Sequence, residues 1–360
     1  MPRVYNFGAG PAMLPEVVLQ QAQEELLDWQ GSGMSIVEIS HRSKKFMALV
    51  DETTNLLREL LAIPDQYKII FLAAPCRSQF AMIPLNCMGN KTQADYLDTG
   101  LWSHQAIKEA KRYTKVNIVS SSESNGYTTI AARETWKCEP TSAYLYYCAN
   151  ETVNGLALHE IPDPGNIPLA CDMTSCFLAQ PVDIKRFGIV FAGAQKNIAP
   201  AGMTIVIVRE DLIGHANAIT PTIDNYQVNA AENSLYYTPN SFSIYMANLN
   251  FKWLKREGGL AAMQQRNQAK AKMLYEYIDN SGFYHNPVDP KYRSIMNVPF
   301  TLDDKSLDEA FLAEATRTGL AELKGHRTVG GMRASLYNAM PKAGVDALIT
   351  FMQKFAKTQG

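Results

Sequence analysis

The stretch "GIVFAGAQKNIAPAGMTIVIV", Gly188 to Val208, holds two nearly unbroken apolar runs joined by a small-residue segment that carries a single lysine, Lys196. Runs this apolar, with little polar alternation, read as strands covered on both faces, the habit of a mainly parallel sheet flanked by helices. The same texture recurs upstream in "KIIFLA", "ADYLD", "VNIVS", "AYLYYC" and "IPLACD", separated by helical or turn-rich segments. Together these runs predict an α/β domain built on about seven strands.

The flanks differ. Near the N-terminus "LPEVVLQQAQEELLDWQG" predicts one helix, with Pro15 in its first turn, Val18, Ala22, Leu26 and Trp29 as its apolar stripe and Gly31 as its stop. A second helix follows "SHRSKKF", burying Phe46, Leu49, Val50, Leu56, Leu57 and Leu60, and the intervening "GMSIVEISHR" reads as a short extended or irregular piece. Beyond "FKWLKREGG" a long helical stretch leads to a strand in "IMNVPFTL", a helix around Leu307 to Thr318, a strand in "VGGMRASLY" and a last helix from Gly344. That order suggests a small, separate α+β domain with an antiparallel sheet.

The chain has 360 residues, 34 basic against 35 acidic, for a formal charge of -1. No block of like charge stands out, so nucleic-acid and membrane-surface binding are not expected. No apolar run approaches the roughly 18 residues of a membrane span, and the N-terminus lacks a signal-peptide core, which predicts a cytoplasmic protein. Six cysteines without a CxxC pair, unclustered with the six histidines, predict free thiols and no metal site.

In an open α/β sheet, ligands sit beyond the carboxyl ends of the strands, where loops converge and helix N-termini present free N–H groups. The residues just past the apolar runs are Cys76 and Arg77, Trp102, Asn150 and Thr152, Asp172, and Gln195 with Lys196. Taken singly, each has an ordinary explanation: a surface lysine, a turn aspartate, a core tryptophan. Taken together they supply an amine that burial would keep neutral and nucleophilic, a carboxylate, a flat aromatic face and polar side chains. Pyridoxal phosphate is the most demanding user of that set, since it needs a lysine for its aldehyde and a carboxylate for its ring nitrogen.

Longer motifs sharpen this. "NFGAGPAMLPEVVL", "EISHRSKKF", "ADYLDTGLWSHQAIKEA", "YCANETVNG", "AGAQKNIAPAGMTIVIVRE" and "VGGMRASLYNAMP" occur in order from end to end, and the sequence resembles the phosphoserine aminotransferases. That resemblance implies a class V, fold-type I enzyme dependent on pyridoxal phosphate, a homodimer with its active sites at the subunit interface. It implies an N-terminal segment (1–15) associated with the small domain, a large cofactor domain (16–258) and a small C-terminal domain (259–360). It implies ping-pong transfer of the amino group from glutamate to 3-phosphohydroxypyruvate, with 3-hydroxy-2-oxo-4-phosphooxybutanoate as a further acceptor. On the same footing Lys196 is the Schiff-base lysine, Asp172 pairs with the ring nitrogen, Trp102 stacks on the ring, and Thr152 and Gln195 contact the cofactor. Arg333 matches the α-carboxylate arginine, while His41, Arg42, Arg77, His326 and Arg327 match a cluster for phosphate and distal carboxylate, partly supplied across the dimer.

Two places depart from the family pattern. "AAPCRS", Ala73 to Ser78, stands where a glycine-rich turn cradles the cofactor phosphate, and Pro75 has no N–H to give. The expectation is that the N–H groups of Cys76 and Arg77 still hold the phosphate at a helix N-terminus. Tyr237, before Thr238, replaces an asparagine in a segment that reaches the partner's cofactor phosphate. These departures leave two alternatives open: a class V enzyme for another small keto acid, or a cofactor-free binding protein of the same fold.

Overall fold

The computed structural model describes residues 3–359. Its centre is a seven-stranded sheet made from all seven predicted runs: β2 (Tyr67–Leu72), β3 (Gln93–Asp98), β4 (Lys115–Ser121), β5 (Leu145–Cys148), β8 (Leu169–Asp172), β9 (Ile189–Gly193) and β10 (Thr204–Arg209), in the order β2-β10-β9-β8-β5-β3-β4. Side chains alternate between two cores along every strand but β4, predicted as covered on both faces, which lies at the sheet edge with Ile118 exposed and only Val119 buried. Val190 and Ala192, Ile205 and Ile207, and Ile69 and Phe71 face one core. Ile189 and Phe191, Val206 and Val208, and Ile70 and Leu72 face the other. Burial on both sides explains why the runs carry no polar alternation.

The sheet is parallel except at one edge, where β10 runs antiparallel to both β9 and β2. The link from β9 to β10, residues 194–203, is too short to carry a crossover helix, so the chain reverses instead. Around the sheet lie α1 (Glu16–Glu24), α2 (Lys44–Leu60), α3 (Gln79–Cys87), α4 (Leu101–Ala110), α5 (Tyr226–Ala231) and α6 (Ser241–Arg256), with a small hairpin of β6 (Asn150–Glu151) and β7 (Leu156–Ala157).

A three-stranded antiparallel sheet, β11 (Tyr284–His285), β12 (Asn297–Leu302) and β14 (Met332–Ser335), packs with α8 (Asp308–Arg317) and α9 (Lys342–Gln359) around Phe300, Phe311, Leu348 and Met352. The N-terminal strand β1 (Tyr5–Asn6) pairs in parallel with β13 (Leu320–Ala321), and Phe7 enters this second core. One long helix, α7 (Gly259–Ser281), bridges the two bodies. Its Leu260 and Met263 pack on the large-sheet core, and its Ala271, Leu274 and Ile278 on the small one.

The first helix is shorter than predicted. It ends at Glu24, Pro15 lies just outside it as the residue before Glu16, and Trp29 reaches the core from a separate 3-10 turn. The cause is a competing polar turn, in which Asp28 Oδ1 accepts from the Gly33 N–H at 2.7 Å and the Trp29 N–H donates to the Met34 carbonyl at 2.9 Å. Leu26, predicted on the buried stripe, is exposed, and Leu27 beside it is 84% exposed.

Candidate active site

The carboxyl ends of β3, β5, β8 and β9 open onto a cavity of about 580 Å³. Eight of the predicted residues line it together: Cys76, Arg77, Trp102, Asn150, Thr152, Asp172, Gln195 and Lys196. The β9 strand delivers Lys196 through Gly193, Ala194 and Gln195. Lys196 is only 7% exposed, its Nζ donates to Thr152 Oγ1 at 2.8 Å, and the Tyr337 ring lies 5.8 Å away. It forms no ion pair among the described residues. An amine held by a neutral hydroxyl, rather than quenched by a carboxylate, stays available to an electrophile.

Asp172 ends β8, in register with Cys148 on β5 and Phe191 on β9. It is buried, and its Oδ1 accepts from the Thr174 N–H at 2.8 Å. Burial raises its pKa, opposed by the Thr174 hydrogen bonds and by Lys196. Thr174 also accepts the Gly193 N–H at 3.2 Å, which ties the β8 and β9 ends together. Sequence reading missed Thr174, although an Asp two residues before a Thr is the signature of a side-chain-stabilised turn.

At the end of β2, Pro75 precedes a 3-10 turn, Cys76–Ser78, that runs into α3. Proline suits that position because the first N–H groups of a helix have no internal partner. The Ser78 N–H returns to the Pro75 carbonyl, so Cys76 and Arg77 are the residues whose amides head the helical run. The Gln195 amide sits 4.0 Å from Cys76 Sγ, and a Cβ on Gly193 would come within 2.9 Å of that sulfur, so this side of the cavity is filled by Cys76. Burial pushes the Cys76 thiol up, away from the reactive thiolate.

The aromatic wall comes from Trp102, in the first turn of α4. The Arg77 guanidinium lies 5.2 Å from its ring centroid, and its indole Nε1 is buried without a hydrogen-bond partner. Glu151, fully buried on β6, binds the start of the same helix: Oε2 accepts from the Trp102 N–H at 2.9 Å, and Oε1 from the Ser103 N–H at 2.8 Å and Ser103 Oγ at 2.7 Å. Burial raises its carboxyl to about 7, against the pull of those hydrogen bonds. Sequence reading passed over Glu151, because a glutamate in "NETVNG" looks like a solvated turn.

The remaining predicted residues stand outside the cavity lining. Arg333, on β14 of the small sheet, comes nearest: its Nη1 lies 3.4 Å from the Thr152 carbonyl, and its Nε is buried without a partner. His326 binds Thr328 Oγ1 at 2.8 Å; burial, then the charges of Arg333 and Arg327, lower its pKa. His41 and Arg42 lie in the loop before α2, and His41 Nε2 has no partner. The Tyr237 hydroxyl accepts the Ala73 N–H at 3.1 Å, on the rim of the same cavity, while Thr238 is exposed.

The sequence model of the class V aminotransferases matches residues 4–348. The phosphoserine aminotransferase of Nitrosomonas europaea is 53% identical over 99% of both chains. A solved phosphoserine aminotransferase from Bacillus circulans subsp. alkalophilus superimposes with a TM-score of 0.97 at 43% identity, over 99% of each chain. Another from Trichomonas vaginalis, with pyridoxal phosphate bound, gives 0.94 at 42% identity, over 98% of this chain and 100% of that one. With a lysine, a buried carboxyl and an aromatic wall gathered at the strand ends, and with similarity along its whole length, this chain belongs to the class V aminotransferases, among the phosphoserine aminotransferases.

Proposed function

We propose that this protein transfers the amino group between L-glutamate and 3-phosphohydroxypyruvate, giving O-phospho-L-serine and 2-oxoglutarate, with the residues at the strand ends in the following roles. The observation that carries this is the Lys196 amine, buried, unpaired with any described carboxylate and resting on Thr152 Oγ1, in a cavity approached by Arg333 from the small sheet. The cavity fits pyridoxal phosphate. It offers an amine, a buried carboxyl on a neighbouring strand, an aromatic face and amides at the head of a helical run.

When bound, pyridoxal phosphate supplies an electron sink for the negative charge that develops at substrate Cα. Lys196 Nζ takes the proton that leaves that carbon, and the Thr152 hydroxyl holds the amine in place between steps. Asp172, buried and fixed by Thr174, keeps a proton on the ring nitrogen. The N–H groups of Cys76 and Arg77 hold the phosphate, and Gln195 and Thr152 make polar contacts. Arg333 forks the α-carboxylate, for which guanidinium is the matching shape.

His41, Arg42, Arg77, His326 and Arg327 take the acceptor's phosphate and glutamate's distal carboxylate, and 3-hydroxy-2-oxo-4-phosphooxybutanoate, with the same two ends, uses the same groups. Arg42, His326 and Arg327 are absent from the single-chain cavity, which favours a homodimer with part of each site given by the partner, the segment of Tyr237 and Thr238 serving the partner's cofactor phosphate. Leu26, Leu27, Met34 and Val37 support this: all four are at least 42% exposed within twelve residues, more apolar surface than one segment normally leaves to water. Six free cysteines suit a cytoplasmic setting.

Absorbance spectroscopy and steady-state kinetics test the reading. Protein incubated with pyridoxal phosphate is expected to gain a visible band that shifts on adding glutamate, and Lys196→Ala to lose both. Phosphohydroxypyruvate is expected to outrun pyruvate and glyoxylate as acceptor; preference for an unphosphorylated keto acid overturns the substrate assignment.

A further inference from the structure

Helix α4 begins without a capping side chain of its own, because the residue before it is Gly100. The backbone donors there are satisfied from two sources. Ser103 Oγ accepts from the Thr99 and Gly100 N–H groups at 2.8 and 3.0 Å, and the Glu151 carboxyl takes the Trp102 and Ser103 N–H groups. A Cβ on Gly100 would stand 2.5 Å from both Cγ and Cδ of Glu151, so the glycine is the space the carboxyl occupies. Buried carboxylates ordinarily have a cation, and Glu151 has none among the described residues; the helix end is its counter-charge.

This carboxyl binds one cavity residue directly, and its own residue adjoins another in the chain. The amide it binds at 2.9 Å belongs to Trp102, whose indole forms the wall. The next residue along the chain is Thr152, acceptor of the Lys196 amine. Glu151 is itself fixed, since its carbonyl accepts the Gly155 N–H at 2.9 Å and its neighbour Asn150 is bonded to Ser175 and Asn297. We infer that Glu151 is a positioning residue for the cofactor cavity, setting the place of the Trp102 indole through the α4 amides and, through the chain, that of Thr152 beneath Lys196.

The inference rests on Trp102 facing the cofactor ring, so the test separates the two. Wild type, Glu151→Gln, Glu151→Asp and Trp102→Phe are loaded with pyridoxal phosphate. Visible circular dichroism per bound cofactor, cofactor dissociation and the unfolding midpoint are then measured. Glu151→Gln keeps size and shape but turns an amide N–H toward backbone donors, and is expected to change the dichroism in the same sense as Trp102→Phe and weaken cofactor retention about tenfold. Glu151→Asp, a carboxylate set back by one methylene, is expected to fall between. If Trp102→Phe alters the dichroism while both Glu151 variants move only the unfolding midpoint, Glu151 is an ordinary helix cap and the inference falls. A silent Trp102→Phe removes the stacking role and the inference with it. A wild-type protein that takes up no coloured cofactor overturns the functional reading first, a result distinct from either.

Discussion

At the scale of single residues, the site depends on neutral partners for charged or chargeable groups. Lys196 rests on a threonine hydroxyl, and Asp172 on a backbone amide. Such pairings leave the amine and the carboxyl free to act on a ligand, whereas an ion pair between them would satisfy both. Thr152→Val keeps the shape and deletes the acceptor, leaving a buried amine short of one hydrogen bond. The expected result is a kcat about tenfold lower with the fold intact, since an unmet buried donor costs about 1–3 kcal/mol; an unchanged kcat would place the Lys196 amine elsewhere in the working enzyme. Lys196, Asp172 and Trp102 were legible in sequence because each lies at, or within about four residues of, the end of an apolar run. Glu151 was not, because its burial comes from a contact with Gly100, 51 positions away, that no local pattern encodes.

At the scale of elements, six of the seven strands could be read from apolar runs because burial on both faces leaves its mark in composition, while β4 gave the same apolar signal from an exposed edge. The direction of β10 follows from the short link before it, residues 194–203, which leaves no room for a crossover helix. The end of α1 was hidden because Leu26 and Trp29 keep helical spacing while Asp28 diverts the backbone. Another feature beyond pattern reading is Lys270, buried in α7, whose Nζ donates to the carbonyls of Leu336, Tyr337 and Met340 at 3.1, 2.9 and 2.9 Å. Nearby, Asn267 binds Asn338, whose N–H donates to Asn197, the residue after Lys196. The bridging helix is thus pinned to the loop after β14, which carries Arg333, and through Asn338 to the Lys196 segment.

Burial, with Arg266 adding to it, pushes Lys270 down to about 7. In the unfolded chain a lysine titrates near about 10.4, so between those values the unfolded state holds more protons and stability rises with pH. Below about pH 7 the contribution is constant. Lys270→Met strands three carbonyls and is expected to cost about 3 kcal/mol at neutral pH. Because the variant also lacks the titration, wild-type stability should climb relative to it from pH 7 to 9.5. Urea unfolding midpoints across that range check the sign, and a gap that stays flat would mean the carbonyls hold the ammonium charged throughout.

At the scale of the molecule, one chain supplies an amine, a carboxyl, an aromatic wall, Arg77 and the nearby Arg333, but His41, Arg42, His326 and Arg327 stand outside the cavity lining. His41 and Arg42 leave the loop before α2, and the nearby segment from Leu26 to Val37 exposes four large apolar side chains. A symmetric dimer that covers this segment would set the His41–Arg42 loop close to the partner, with each subunit serving the other's cavity. Mixing two inactive variants tests that geometry without needing the interface to be mapped. Lys196→Ala removes the amine from its own subunit's cavity, while Arg42→Ala removes an anchor from the neighbour's. In a mixed dimer both lesions then fall on one cavity and the other is whole. Refolding the two together at equal amounts makes half the dimers mixed, each with one whole site of two, so activity is expected to return to about one quarter of wild type. If Arg42 serves its own subunit's cavity, every site in every dimer keeps one lesion and mixing restores nothing.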